Sequence, residues 1–351
     1  MGLSPLQQEK KYHNIILFVH LCGLPHFWYK ELDWSMRKKN LIKFASKFIN
    51  YIGNLFFVFE MLVYFTQKDL NEQQFSFWFG CAFTHTICLV AFFSLASHKK
   101  NIKTLITRMI VTIPGIYHDE EVSENMIKKC YLYVLTSIST LNLTVLFYGV
   151  NSTLDFLNGD IFLPVITFWP DINDFSLAAT IGRFVAYIMW WIWVARVSGV
   201  LTLAIILTVC SSHLLNHLQS FFISMSKIFE EDLTIEDQQK KYEKSLKTAF
   251  KMHHDILIHT EVLIEVCNVT YGGQILMNTS ILTIMMFQLS VCMNSILMSL
   301  FTYNHDDGEY FFAYGNLVTL ERKKLRFSMT YVLSLLKVKL TKTQLTASYR
   351  I

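Results

Sequence analysis

Ionisable side chains set inside apolar sequence are the first places to look for chemistry, and this chain has few of them. Glu60 interrupts FFVFEMLVYF, His85 interrupts CAFTHTICLV, and Arg183 and Arg196 interrupt TIGRFVAYIMWWIWVARVSGVLTLAIILTVC. A charge at the centre of a bilayer is costly, about 2.5 to 3.5 kcal/mol for an arginine on insertion scales, so each such group must face protein or water. Glu60 is a plausible partner for Arg196; the alternative is that the guanidinium turns to a water-filled cavity or the inner face. A second cluster, His253, His254, Asp255 and His259, invites a metal reading, because Asp255 and His259 at i, i+4 could share an ion. No Cys or further carboxylate completes the ligand set, so no metal is expected. There is no Ser/His/Asp order, Gly-rich phosphate loop or HExxH motif, and hence no sign of an enzyme or a cofactor.

The elements that must position these groups follow from composition. The 351 residues are 52% hydrophobic, with 29 Phe, 16 Tyr and 7 Trp. That excludes an ordinary soluble domain and points to an all-α, polytopic transmembrane helical bundle. Its formal net charge of +4 comes from Lys and Arg in loops that orientation explains, so nucleic acid is not an expected partner. The 7 Cys show no CxxC spacing and read as free thiols packed as small hydrophobes.

The run from Thr180 to Cys210 exceeds the roughly twenty apolar residues a span requires. Before it, residues 151–178 hold four Asp and no Lys or Arg, and after it comes a Lys-rich segment. Cytoplasmic flanks collect Lys and Arg, so this helix enters from outside and leaves into the cytoplasm. The same rule keeps residues 1–43 cytoplasmic, with residues 15–28 along the inner interface, and draws spans at Phe44 to Phe65, Phe75 to Ala96 and Tyr131 to Val150. A sequon, Asn151-Ser-Thr, follows the third span, and the Pro and aromatic content of LPVITFWPDI suggests an ordered cap. Helical periodicity in residues 237–265 predicts cytoplasmic helix extensions of spans four and five, the fifth starting near Val266. Further on, YFFAYGNLVTL is too short for a full sixth span and the chain closes on a basic tail. The expected organisation is a bundle over residues 1–320 and a cytoplasmic remnant of a last helix over 321–351.

Several stretches resemble the insect odorant receptor family, seven-span proteins with a cytoplasmic N-terminus. HLCGLP (His20 to Pro25) is similar to an N-terminal element of that family, though lacking its Trp. HHDILIHTEVLIEVC (His253 to Cys267) resembles the helix entering the fifth span and MFQLS (Met286 to Ser290) its outer end. FAYGNLVTLE (Phe312 to Glu321) resembles the inner end of the sixth span, and residues 322–347 resemble the first half of the seventh helix. The membrane-crossing half of that helix, which lines the pore in the family, is missing from this sequence. The resemblance implies a plasma-membrane subunit, multi-pass with its N-terminus cytoplasmic, that binds a small apolar odorant and forms a ligand-gated cation channel with a shared co-receptor. A gustatory-type chemoreceptor or a secondary transporter is the alternative, though the two related halves of a transporter are not found. A G-protein-coupled receptor is opposed by the Lys and Arg distribution.

Such a ligand would occupy an aromatic cavity between helices with few polar groups. On this topology the outer halves of spans two, three and four offer Phe79 and Phe83, Thr144 and Tyr148, and Phe184, Tyr187 and Trp191, each set at spacings that share a helix face. Aromatics at this spacing are more often packing or interfacial belt residues. Trp169 and Pro170 in the cap are similar candidates.

Overall fold

The structure, a computed structural model, describes residues 5–30, 34–232 and 234–302. All regular structure among them is helical: α1 (Pro5–Leu21), α2 (Met36–Met61), α3 (Val63–Thr66), α4 (Glu72–Ser97), α5 (Lys99–Thr107), α6 (Glu120–Leu157), α7 (Leu177–Ser226) and α8 (Ile235–Thr302). A π-helical turn, Arg108–Thr112, extends α5, and a short 3-10 turn, Lys227–Glu230, ends α7. The chain divides into two compact units at Leu282 and Thr283. The first holds α1 to α7 and α8 as far as Leu282; in the second, residues 283–302 are helical. The expected sixth span and the boundary at residues 320 and 321 lie outside the described residues.

Local chemistry accounts for the helix starts. Asn71 and Gln74 form a reciprocal capping box at α4, the Asn71 side chain accepting from the Gln74 amide at 2.8 Å and the Gln74 side chain from the Asn71 amide at 3.0 Å. Asp119 accepts from the Glu121 and Val122 amides at α6, and Ser176 from the Ala179 amide at α7. Each satisfies backbone donors that a helix leaves unpaired at its start.

Among the described residues four stretches are long and apolar enough to cross a membrane: Met36–Thr66, Gln74–Ser97, Glu120–Leu157 and Leu177–Glu230. They contain the first four spans expected from sequence; the expected fifth, starting near Val266, falls on α8, which is helical through that position but is not among the four. Their burial separates them, since the most apolar window of the last is 67% buried against 17 to 28% in the others. Helix α7 is therefore the central post, and the other three present broad apolar faces outward. With 50 residues it reaches about 75 Å, far more than a hydrocarbon core needs. The excess makes the predicted long extension, and α6 likewise runs past Val150 to Leu157, so that the Asn151 sequon is helical.

The N-terminal segment packs one face into the bundle, with Val19, Leu24 and Phe27 fully buried. Tyr12, Ile15, Ile16 and Val19 fall on one face of α1 and join the core formed by α6, α7 and α8. Gly199 of α7 lets Cys22 approach closely where a side chain would collide. A turn at Gly23, φ +98°, carries the chain back, and its carbonyl accepts from Asn50 Nδ2 at 2.6 Å.

Candidate ligand site

Helices α2, α4 and α7 meet in an aromatic core around one acidic side chain. Glu60 on α2 is fully buried, and its two carboxylate oxygens lie 2.7 and 2.8 Å from Nδ1 of buried His85 on α4. The Trp190 indole N–H points at His85 Nε2 from 3.4 Å. Because indole only donates, Nε2 accepts and the imidazole proton is assigned to Nδ1, facing Glu60. Trp78 Nε1 donates to the Glu60 carbonyl at 2.9 Å. Phe56 and Trp193 stand edge-on to the imidazole, with ring centroids 5.9 and 5.3 Å away. The result is a polar chain, Glu60, His85 and Trp190, enclosed by rings.

Arg196 does not join it. Its Nη1 donates to Asn54 Oδ1 at 2.6 Å, and its guanidinium carbon lies 3.7 Å from the centre of the Phe92 ring. The expected pairing with Glu60 is thus replaced by two separate centres. Asn54 and Glu60 are six residues apart on α2, about 9 Å along the axis, and the arginine reaches only the nearer. Gly53 lies against Arg196 and Trp193, where a Cβ would make ordinary contact at 3.5 Å. A cation resting on an aromatic face and one amide oxygen is stabilised without a counter-ion.

The segment between α6 and α7 is the ordered cap that its sequence suggests, and two polar side chains tie it down. Gln67, just after α3, donates through Nε2 to the carbonyls of Thr167 at 3.0 Å and Pro170 at 2.9 Å, and its Oε1 accepts from the Ile172 amide at 3.2 Å. Arg183 donates through Nη2 to the carbonyls of Asp171 and Asp174, both at 2.7 Å. The backbone adds Phe168 N–H to the Phe59 carbonyl at 3.0 Å. In the sequence Arg183 is legible only as a charge interrupting the fourth span, and Gln67 not at all. The sole hint for Gln67 is that an amide, able to donate and accept, directly follows a run of apolar residues.

The sequence-predicted ligand residues divide into two groups. Tyr148 and Tyr187 converge on Trp190, their rings 5.8 and 6.5 Å from it, and Trp191 joins through Tyr187, 6.2 Å away. Tyr187 also donates its hydroxyl to the Val145 carbonyl at 3.1 Å. It sits over Gly149, where any Cβ would occupy the place of the hydroxyl. Phe77, overlooked in the sequence, adds a ring 5.0 Å from Tyr148. By contrast, Phe79 and Phe184 are half exposed, at 52 and 55%. Phe83 stacks on Phe79 rather than on this cluster, and exposed Thr144 returns its hydroxyl to the Thr140 carbonyl. Trp169 is also exposed, while Pro170 is buried under the cap.

Among the described residues no group of three or more His, Cys, Asp and Glu side chains is disposed to hold a metal ion. His259 engages Ser211 at 2.7 Å instead of sharing an ion with Asp255.

No protein-family model matches this sequence, and no curated protein matches it. Its fold, however, is similar to a solved structure, that of the insect olfactory receptor OR5 from Machilis hrabei, with a TM-score of 0.54 at 12% sequence identity. The match covers 78% of this chain and 70% of that one. The chain is an all-α polytopic helical bundle whose fold is similar to that structure.

Proposed function

We propose that this protein is an odorant receptor subunit that binds a small apolar ligand at the aromatic cluster of α4, α6 and α7. In this reading the ligand gates a cation channel formed together with a shared co-receptor in the plasma membrane. The observation that carries it is the olfactory-receptor-like fold, spanning 78% of the chain. The cluster supports it, because a site for a weakly polar volatile needs aromatic walls and few polar groups. Phe77, Tyr148, Tyr187 and Trp191 supply the walls, and the Glu60, His85 and Trp190 chain is the polar feature beside them. The excess of Lys and Arg in residues 1–43 and 99–129 supports a cytoplasmic N-terminus and, with it, a cap on the outer side.

The test is expression of the full chain with a co-receptor in cultured cells, with currents recorded against a panel of volatiles. A response that Tyr148→Ala and Trp191→Ala each weaken by about tenfold or more, while surface expression is kept, supports the site. Phe79, Phe83, Thr144 and Phe184 belong to the same proposal, and their alanine variants rank their share. Responses unchanged in every one of these variants and in Tyr187→Ala would refute the site, and absence of any odour-evoked current across the panel would refute the function.

A further inference from the structure

At the opposite end of the bundle from the cap, the face of α5 and its π-helical turn encloses a second feature. Tyr29, Lys103, Thr104, Thr107, Arg108 and Thr112 line a pocket of about 370 Å³. A π turn adds one residue to the helical repeat, which returns Thr112 to the face of Lys103 and Thr107. Such a turn costs hydrogen-bond geometry, and its retention here gives a face with two cations. Neither has an anion. Among the described residues Lys103 and Arg108 form no ion pair, and the buried Nη1 of Arg108 has no hydrogen-bond partner. The carboxylate beside Tyr29, Glu9, is already engaged by Lys30 at 2.6 Å and by the Tyr29 hydroxyl at 2.8 Å.

Positive charge also reaches the neighbouring imidazole. Burial first, and then His20, Lys103, His13 and Lys99, hold the pKa of His26 down to about 4. An arginine N–H buried without a partner is a costly arrangement in an empty site, and a bound acceptor relieves it.

We infer that this pocket binds a phosphate-bearing anion, with the Arg108 guanidinium and the Lys103 ammonium as its principal ligands. Arginine offers planar paired donors and lysine a point charge, a combination suited to the tetrahedral, multiply charged phosphate group. Thr112 contributes a further hydroxyl. Thr104 and Thr107 spend their protons on the carbonyls of Lys100 and Lys103 and serve as polar walls. The volume admits a phosphorylated ring as well as a lone ion. In the proposed orientation the pocket lies on the cytoplasmic side, where anionic headgroups and soluble phosphate esters are both available.

The experiment uses the full purified chain in detergent, titrated with a short-chain phosphatidylinositol bisphosphate and, separately, with inositol trisphosphate. Saturable binding that the double variant Arg108→Gln, Lys103→Gln weakens by about tenfold or more is expected. Lys99→Gln with Lys100→Gln removes the same charge outside the pocket and should weaken binding by less than about twofold. If both ligands bind with this pattern the source is a soluble phosphate ester or the headgroup alone, and if only the lipid binds it is a membrane lipid; either supports the site. Equal losses in the two double variants, or no saturable binding, overturn it. Should the pocket variant fail to fold, Thr112→Glu places a carboxylate at the pocket wall and is expected to abolish binding; unchanged binding in that variant also overturns the proposal.

Discussion

Glu60 and His85, on neighbouring helices, face each other at 2.7 Å with the carboxylate fully buried. This contact sets the distance between α2 and α4 at the level of the aromatic cluster. Removing one partner leaves the other buried and unmatched, which for a buried pair costs roughly 3 to 5 kcal/mol. We expect His85→Ala and Glu60→Gln each to depress surface expression sharply, and the double variant to lose little more than either alone. A double-mutant cycle read by thermal unfolding should give a coupling of about 1 to 3 kcal/mol for Glu60 with His85, and none for Glu60 with Arg196.

Buried Arg196 and exposed Asn54 form the second centre, and here the arginine carries most of the weight. Asn54→Ala leaves the guanidinium its Phe92 ring, while Phe92→Leu leaves it the amide. Each should cost about 1 to 2 kcal/mol, whereas Arg196→Met, an apolar side chain of similar length, should be tolerated better than Arg196→Ala. Thermal unfolding of the purified variants gives the ranking, and Arg196→Ala matching Arg196→Met would show that packing is immaterial there.

Gln67 is the tie that holds the cap, through two donated bonds and one accepted bond. Gln67→Leu keeps the volume and strands buried backbone groups, at about 1 to 3 kcal/mol. Hydrogen exchange should then rise in residues 161–176 without rising in α6. Exchange that stays at wild-type rates would mean that the contact with Phe59 and the bonds from Arg183 suffice.

Gly149 and Tyr187 interlock so tightly that a methyl group is not accommodated. Gly149→Ala must push the tyrosine ring aside, breaking its bond to Val145, at a cost of about 1 to 3 kcal/mol. If the cluster is the ligand site, the same variant lowers odorant sensitivity, and pairing it with Tyr187→Phe should recover stability only in part.

His259 predicts a pH dependence. Burial first, and then the charge of Arg108, hold its pKa down to about 4. Ser211 donates to the Leu207 carbonyl and so accepts from His259 Nε2, while Nδ1 is buried without a partner. The unfolded chain, titrating near 6.5, binds more protons than the folded one between those values, so stability rises with pH across that window. The contribution is whole above about pH 6.5 and is lost progressively toward pH 4, where the loss reaches about 3 kcal/mol. Unfolding midpoints from pH 7.5 to 4 should fall less steeply in His259→Gln, which keeps a donor toward Ser211 but does not titrate.

The sequence by itself determined the helical class and the first four candidate spans. These depend on local composition: long apolar runs, and acidic or basic connections between. It also marked Tyr148, Tyr187 and Trp191, since helical spacing places residues on a shared face. Which face turns inward was not legible, because the membrane-length parts of α4 and α7 are apolar nearly all round, and so Phe79 and Phe184 looked equivalent to residues that pack. Partner choice was likewise hidden. Glu60 and Arg196 are opposite charges in apolar sequence, and only the register of α2 against α4 and α7 gives the carboxylate to His85 and the guanidinium to Asn54 and Phe92. The same holds for the N-terminal segment, whose burial depends on the space that Gly199 leaves on a helix far along the chain.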